Sequence, residues 1–167
     1  MSFGGDEGEG EGTGVGFATA RGRDWPSVRQ FNVFLANRLG ALMNVVKRFE
    51  TTDNRIIALM VLDSTDCAII RVVVNDPERA YEIFEQANLP FTESDLLVVQ
   101  LPDGNQPLVQ ICKALLTAEI NLHYAYPILV GPHGHAALAI HVEDIETATQ
   151  TLQRVGFTLY TENDFQE

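Results

Sequence analysis

The strongest constraint on this chain is that its second half repeats its first. Superposed with an offset of 66, Val33 falls on Val99, Leu35 on Leu101, Leu42 on Leu108, Val45 on Ile111, Phe49 on Leu115 and Ile56 on Leu122. A two-residue insertion moves the offset to 68, which pairs Ile70 with Leu138, Val72 with Ile140, Ala80 with Ala148 and Phe84 with Leu152. Apolar positions that coincide through two helices and three strands mark a duplicated unit, so the two halves share one fold.

Periodicity gives the order of elements within that unit. In the first half it predicts strands over 28–35, 55–62, 67–74 and 90–93, with helices over 39–51 and 77–87. The second half repeats them as strands over 96–101, 121–130, 135–142 and 157–160 and helices over 107–118 and 145–155. Asp76 is placed to cap the second helix and Pro77 suits its first position. A β-α-β-β-α-β order folds most simply as a ferredoxin-like sandwich, with right-handed crossovers setting both helices on one face of an antiparallel sheet. The expected class is therefore α+β, with two tandem ferredoxin-like units over 28–94 and 95–167 behind a flexible, Gly-rich acidic tail over 1–27.

One face of each sheet should be covered by helices, yet the third strand carries Ile70, Val72 and Val74 on one side and Ile69 and Val73 on the other. Its counterpart sets Ala137 and Ala139 opposite Leu138 and Ile140. Strands apolar on both faces are usually buried on both. This predicts a second sheet against the free face, supplied by a homodimer or by tight packing of the two halves.

A hydrophobic content of 46% supports a real core, and a formal charge of -12 opposes a phosphate-backbone or anionic membrane partner, which would need clustered Lys and Arg. The start of the chain lacks the basic residues and apolar run of a signal peptide, and no apolar segment approaches the roughly 18 residues needed to span a bilayer. Cys67 and Cys112 lie within apolar patterns without paired spacing, which reads as reduced core cysteines of a cytoplasmic protein.

The stretch Leu35 to Leu42 is the first candidate site. A strand ends there, a helix pattern begins at Leu42, and Asn37 and Gly40 permit a tight turn that brings backbone N–H groups to a ligand. A helix N-terminus of this kind suits a small carboxylate or phosphate. His133-Gly134-His135, with His123 and His141 on flanking strands, raises a metal site, but no carboxylate or thiolate is spaced to complete it. Tyr124 and Tyr126 share a strand face and either line a ligand pocket or stack in a sheet interface. Catalytic signatures such as a Walker loop or a nucleophile elbow are absent from the sequence, and no cofactor is expected.

The loop Asn37-Arg38-Leu39-Gly40-Ala41-Leu42, on a strand-loop-helix opening of the form N-x-P-G-x-L, resembles tandem ACT domains, the small-molecule sensing modules of amino-acid metabolism. The hairpin from Leu62 to Arg71, the helix start from Asn75 to Ala80 and the segment from Ala118 to Tyr126 are similar to the same family. The departures are Leu39, where the family usually has Pro, and Gln106, which replaces the glycine in the second loop while Gly104 stands earlier. The resemblance implies a non-catalytic regulatory module that binds a free amino acid between units. Asn37, Arg38, Leu39, Gly40, Ala41 and Leu42 would hold the α-carboxylate, and Asp63, Ser64 or Asp66 would meet the α-ammonium across the interface. A metabolic enzyme is the expected partner of such a module, and the homodimer is expected through the sheet face or edge. The alternative it leaves is a constitutive scaffold or accessory subunit of an amino-acid biosynthetic enzyme with no working ligand site.

Overall fold

A computed structural model describes residues 25–36 and 39–166. The first half holds β1 (Val28–Ala36), α1 (Ala41–Val46), β2 (Ile56–Asp63), β3 (Cys67–Val74) and α2 (Pro77–Gln86). A single strand, β4 (Phe91–Gln100), leads into α3 (Pro107–Thr117), β5 (Leu122–Pro127), β6 (Ala137–Val142), α4 (Ile145–Val155) and β7 (Leu159–Tyr160). The antiparallel strands run β2-β3-β1-β4-β6-β5, with β7 on β4, and β4 is shared by the sheet of the first half and the sheet of the second. Each half is thus a ferredoxin-like α+β unit, as the repeat predicts.

The separate strands expected over 90–93 and 96–101 are instead the two ends of β4. The polar residues between them, Ser94 and Asp95, pair with Gln30 and Arg29 of β1, which keeps the backbone extended. Past them, Leu97 to Gln100 pair with β6, so one strand serves both units and the expected boundary at 94 falls inside it. The helix expected over 39–51 is also shorter. It becomes 3-10 over Lys47–Phe49, where the Thr52 hydroxyl donates to the Phe49 carbonyl at 3.0 Å and stops it. Strands expected over 121–130, 135–142 and 157–160 contract at their ends, the first two around Pro127 and Pro132.

Three cores hold the fold. Beneath the first helix layer Phe31, Val33, Val45, Phe49, Ile70, Val72 and Phe84 pack together. Beneath the second lie Leu97, Val99, Ile111, Leu115, Ile140 and Leu152. The third lies between the two sheets and joins Val28, Ala58, Val73, Leu96 and Val98 to Tyr126, Ala137, Ala139, Tyr160 and Phe165. The second apolar face predicted from Val73 and Ala139 is therefore filled by the other half of the same chain. That leaves the sheet-face argument for a homodimer already satisfied, and a dimer would need another surface.

The two sheet edges converge at one end, where the Leu129 N–H donates to the Ile57 carbonyl at 2.8 Å. The same end is pinned by Arg29, which is buried among Glu78 at 2.8 Å, Glu93 at 3.3 Å and Glu162 at 3.6 Å. Burial opposes the guanidinium charge, but the three carboxylates outweigh it and hold its pKa above the ordinary value. Since Glu162 lies in the C-terminal turn and also accepts the Arg29 backbone N–H at 3.0 Å, this network ties the last residues to β1. Of the expected tail, Pro26 and Ser27 are buried against the body, while residues 1–24 lie outside the described residues.

Candidate functional site

Gly40 precedes α1 with φ of +83°, a left-handed conformation that costs a side-chain-bearing residue free energy. The first helical bond of α1 runs from the Asn44 N–H to the Gly40 carbonyl at 3.0 Å, leaving the N–H groups of Ala41, Leu42 and Met43 without intrahelical acceptors. With six residues α1 supplies local donors rather than the long dipole expected from a 39–51 helix. Leu35, Ala36, Leu39, Gly40, Ala41 and Asn44 line a cavity of about 360 Å³ at this turn. Leu39 is fully exposed, and Leu42 and Met43 are exposed as well. Asn37 and Arg38 lie outside the described residues.

The hairpin residues Asp63, Ser64 and Asp66 are neighbours of this loop through the sheet rather than members of its cavity. Ala36 pairs with Cys67 and Leu35 with Ala68, and Asp63 pairs with Ala68 across the hairpin. Ser64 closes the turn, its N–H and hydroxyl both donating to the Cys67 carbonyl at 3.0 and 2.8 Å. All three are exposed beside the end of β1.

The equivalent loop of the second half is built differently. Gln106 precedes α3 with a negative φ of -136° and gives no side-chain cap. Gly104 takes up the positive φ at +123°. Gln110 then reaches back from α3 and donates to the Asp103 carbonyl at 3.2 Å. Moving the glycine two positions upstream has replaced an open turn with one strapped by a side chain.

A polar cluster that the sequence reading did not single out lies between the two sheets. Gln30 is fully buried. Its carbonyl accepts from the Tyr126 hydroxyl at 2.6 Å, and its amide nitrogen faces Asn32 Oδ1, Ser94 Oγ and Tyr124 Oη at 2.8–3.0 Å. Tyr124 and Tyr126 thus stack within the interface between the halves, one of the two roles the sequence left open. Burial is the main reason the Tyr126 hydroxyl is held well above its ordinary pKa. A sequence signal did exist, because Gln30 and Asn32 take the same alternate positions as Val28 on a strand whose other face is Phe31 and Val33.

The histidines separate into two places. His123 and His141 meet at 3.2 Å between their Nδ1 atoms, and His141 stacks on Tyr124 at 4.7 Å. His133 instead lines a cavity with Arg55 and Asp164. Among the described residues no three His, Cys, Asp or Glu side chains are grouped to hold a metal ion.

Two fused ferredoxin-like units, with an open βα loop in one and a strapped loop in the other, define the class of protein. A family model described as an ACT domain pair matches residues 26–165, and the chain belongs to that family of regulatory modules. Protein BT0572 from Bacteroides thetaiotaomicron superposes with a TM-score of 0.76 at 20% identity, over 86% of this chain and 98% of that one. The ligand-free regulatory subunit of aspartate kinase from Thermus thermophilus gives 0.53 at 10% identity, over 79% and 93%. At these identities both likenesses establish the fold. No protein of curated function matches the chain. Among the described residues no helix is long and apolar enough to cross a membrane.

Proposed function

We propose that this chain is a non-catalytic sensor that binds a free amino acid at its first βα loop and transmits the event by changing an interface between ACT units. The observation that carries this reading is the cavity at the Gly40 turn, which combines N–H groups that have no intrahelical acceptor with exposed Leu39. The ligand α-carboxylate takes the N–H groups of Ala41 and Leu42, with Asn37 and Arg38 alongside. Asp63, Ser64 or Asp66 of an adjoining unit meets the α-ammonium, so the site is completed by a second copy and the working form is a homodimer. A metabolic enzyme would read the altered interface, and the ligand shifts it only by its differential affinity for the two arrangements.

A thermal-shift screen with the proteinogenic amino acids tests this. One or a few should stabilise the protein, by about 2.7 kcal/mol at a hundredfold excess over Kd. Gly40→Val should cost about 1–2 kcal/mol through its positive φ and abolish the ligand response, whereas Gly104→Val should leave that response intact. If no amino acid at millimolar concentration moves the melting temperature, the sensor reading fails in favour of a constitutive accessory subunit.

A further inference from the structure

Moving along the strands of the inter-sheet face, the apolar core gives way to polar residues at one end only. On β1 the sequence of inward positions is Val28, Gln30, Asn32, and the residues paired with them on β4 are Leu96, Ser94 and Thr92. On β3 Val73 is followed by Arg71, which pairs with Asn32. On β6 Ala139 is followed by His141, paired with Tyr124 as Ala139 is with Tyr126. At the opposite end the sheets are closed by the Leu129 to Ile57 hydrogen bond. At the polar end Asn32, Arg71, Ser94, Tyr124 and His141 are all partly exposed.

The hydrogen bonds at this end do not balance. The Gln30 amide faces three acceptors and can serve two. Ser94 Oγ accepts from Gln30 and from Asn32 Nδ2 at 2.9 Å, and Tyr124 Oη accepts from Gln30, yet neither hydroxyl proton has an acceptor among the described residues. Among the described residues Arg71 spends only its Nε–H, on Asn32 Oδ1 at 3.2 Å. Its guanidinium lies 4.0 Å from the centre of the Tyr124 ring, and no carboxylate among the described residues is within ion-pair distance of it. That is unusual in a chain of net charge -12. The His123–His141 pair brings no compensating anion, and burial, His123 and Arg71 together lower the His141 pKa. Unspent guanidinium and hydroxyl donors in a fixed arrangement, with no carboxylate among the described residues to meet them, describe the complement of an oxyanion.

We infer that the partly exposed polar end of the junction between the two halves is a second ligand site, in which the unspent guanidinium N–H groups of Arg71, the Ser94 and Tyr124 hydroxyls and the histidine pair receive a small carboxylate or phosphate anion. The site is separate from the Gly40 turn, since Asn32 and Ala36 are four residues and therefore about 13 Å apart along β1. Because the anion would bridge Arg71 and Asn32 of one half to Tyr124 and His141 of the other, its occupancy stiffens the junction between the halves.

Heteronuclear NMR of the full chain, titrated separately with inorganic phosphate and with malonate at constant ionic strength, tests this. Saturable shifts should appear at the Arg71 Nε–H and the His141 ring, and the tighter of the two probes identifies a tetrahedral or a planar anion. Arg71→Gln should weaken binding by about tenfold or more. Tyr124→Phe, which removes only a hydroxyl, should weaken it by about threefold or more and keeps the test alive if Arg71→Gln does not fold. The exposed-arginine variant Arg154→Gln should bind as the parent does. Absence of saturable shifts with both anions, or equal weakening by Arg71→Gln and Arg154→Gln, would overturn the site.

Discussion

The two halves of this molecule share a fold and reach it with different materials. Under the helices of the first half, Phe31, Phe49, Phe84 and Phe91 meet in edge-on and tilted pairs with ring centres 5.4–5.8 Å apart. Under those of the second the buried residues are aliphatic, with Leu152 standing where the first half has Phe84 and the partly buried Phe157 the one aromatic packed against them among the described residues. The helices differ in the same sense, since α1 has six residues and α3 eleven. Aromatic side chains fill more volume per residue and bring directional contacts, so the first half stays packed with a short helix and an open loop. The second half spends more helix on its core and straps its loop with Gln110. Duplication conserves the pattern of burial, while each copy remains free to change what fills it and which loop stays open.

Phe84→Ala offers the sharpest test of that contrast. It should cost about 3–5 kcal/mol by transfer and cavity terms, against about 2–5 kcal/mol for Leu152→Ala. Both should appear in urea unfolding as a single transition, because β4 and the inter-sheet core couple the halves. Two separated transitions in the parent protein would mean that the halves are independent, and the comparison would then have to be made on each alone.

Arg29 comes next, because it is where the halves are tied together. Arg29→Met keeps the apolar stem but leaves the Glu162 carboxylate buried without its guanidinium. The expected loss is about 3–5 kcal/mol in chemical denaturation. Adding Glu162→Gln should recover part of it. Additive losses in the double variant would show that the pair is not coupled.

The smallest effect is expected from pH. The folded His141 pKa is lowered, chiefly by burial and then by His123 and Arg71, so the unfolded chain binds the extra proton first as pH falls. Stability should therefore be full above the ordinary histidine value of about 6.5 and decline as pH drops through the interval between that value and the folded pKa. His141→Gln should flatten this part of the profile, measured as denaturation midpoint against pH. An unchanged slope in the variant would assign the dependence to other groups.

Most of the architecture was legible because burial leaves a periodic trace. The offsets of 66 and 68, the two-sided strands at Val73 and Ala139, and the Asp76-Pro77 start of α2 all reappear, the Asp76 carboxylate accepting the Arg79 N–H at 3.1 Å. The errors fell where local chemistry competes with pairing. Ser94-Asp95 separates two expected strands until β1 lies beside it, and the end of α1 is decided by Phe49 seeking Phe84 and by Thr52. Of the site, the Gly40 turn was visible as a glycine between strand and helix. The cluster of Gln30, Arg71, Ser94, Tyr124 and His141 was not, because its members come from five strands and meet only when the halves close.

The sequence by itself determined the duplicated α+β unit, the inward faces of its strands and the place of the glycine turn, since each of these follows from residue spacing along one segment. Only the tertiary structure decided that the second apolar sheet face is filled within the chain, that one strand serves both units, and that one end of the junction carries surplus donors. Those outcomes depend on which distant strands come together, and spacing along a segment carries no information about which distant surface will cover it.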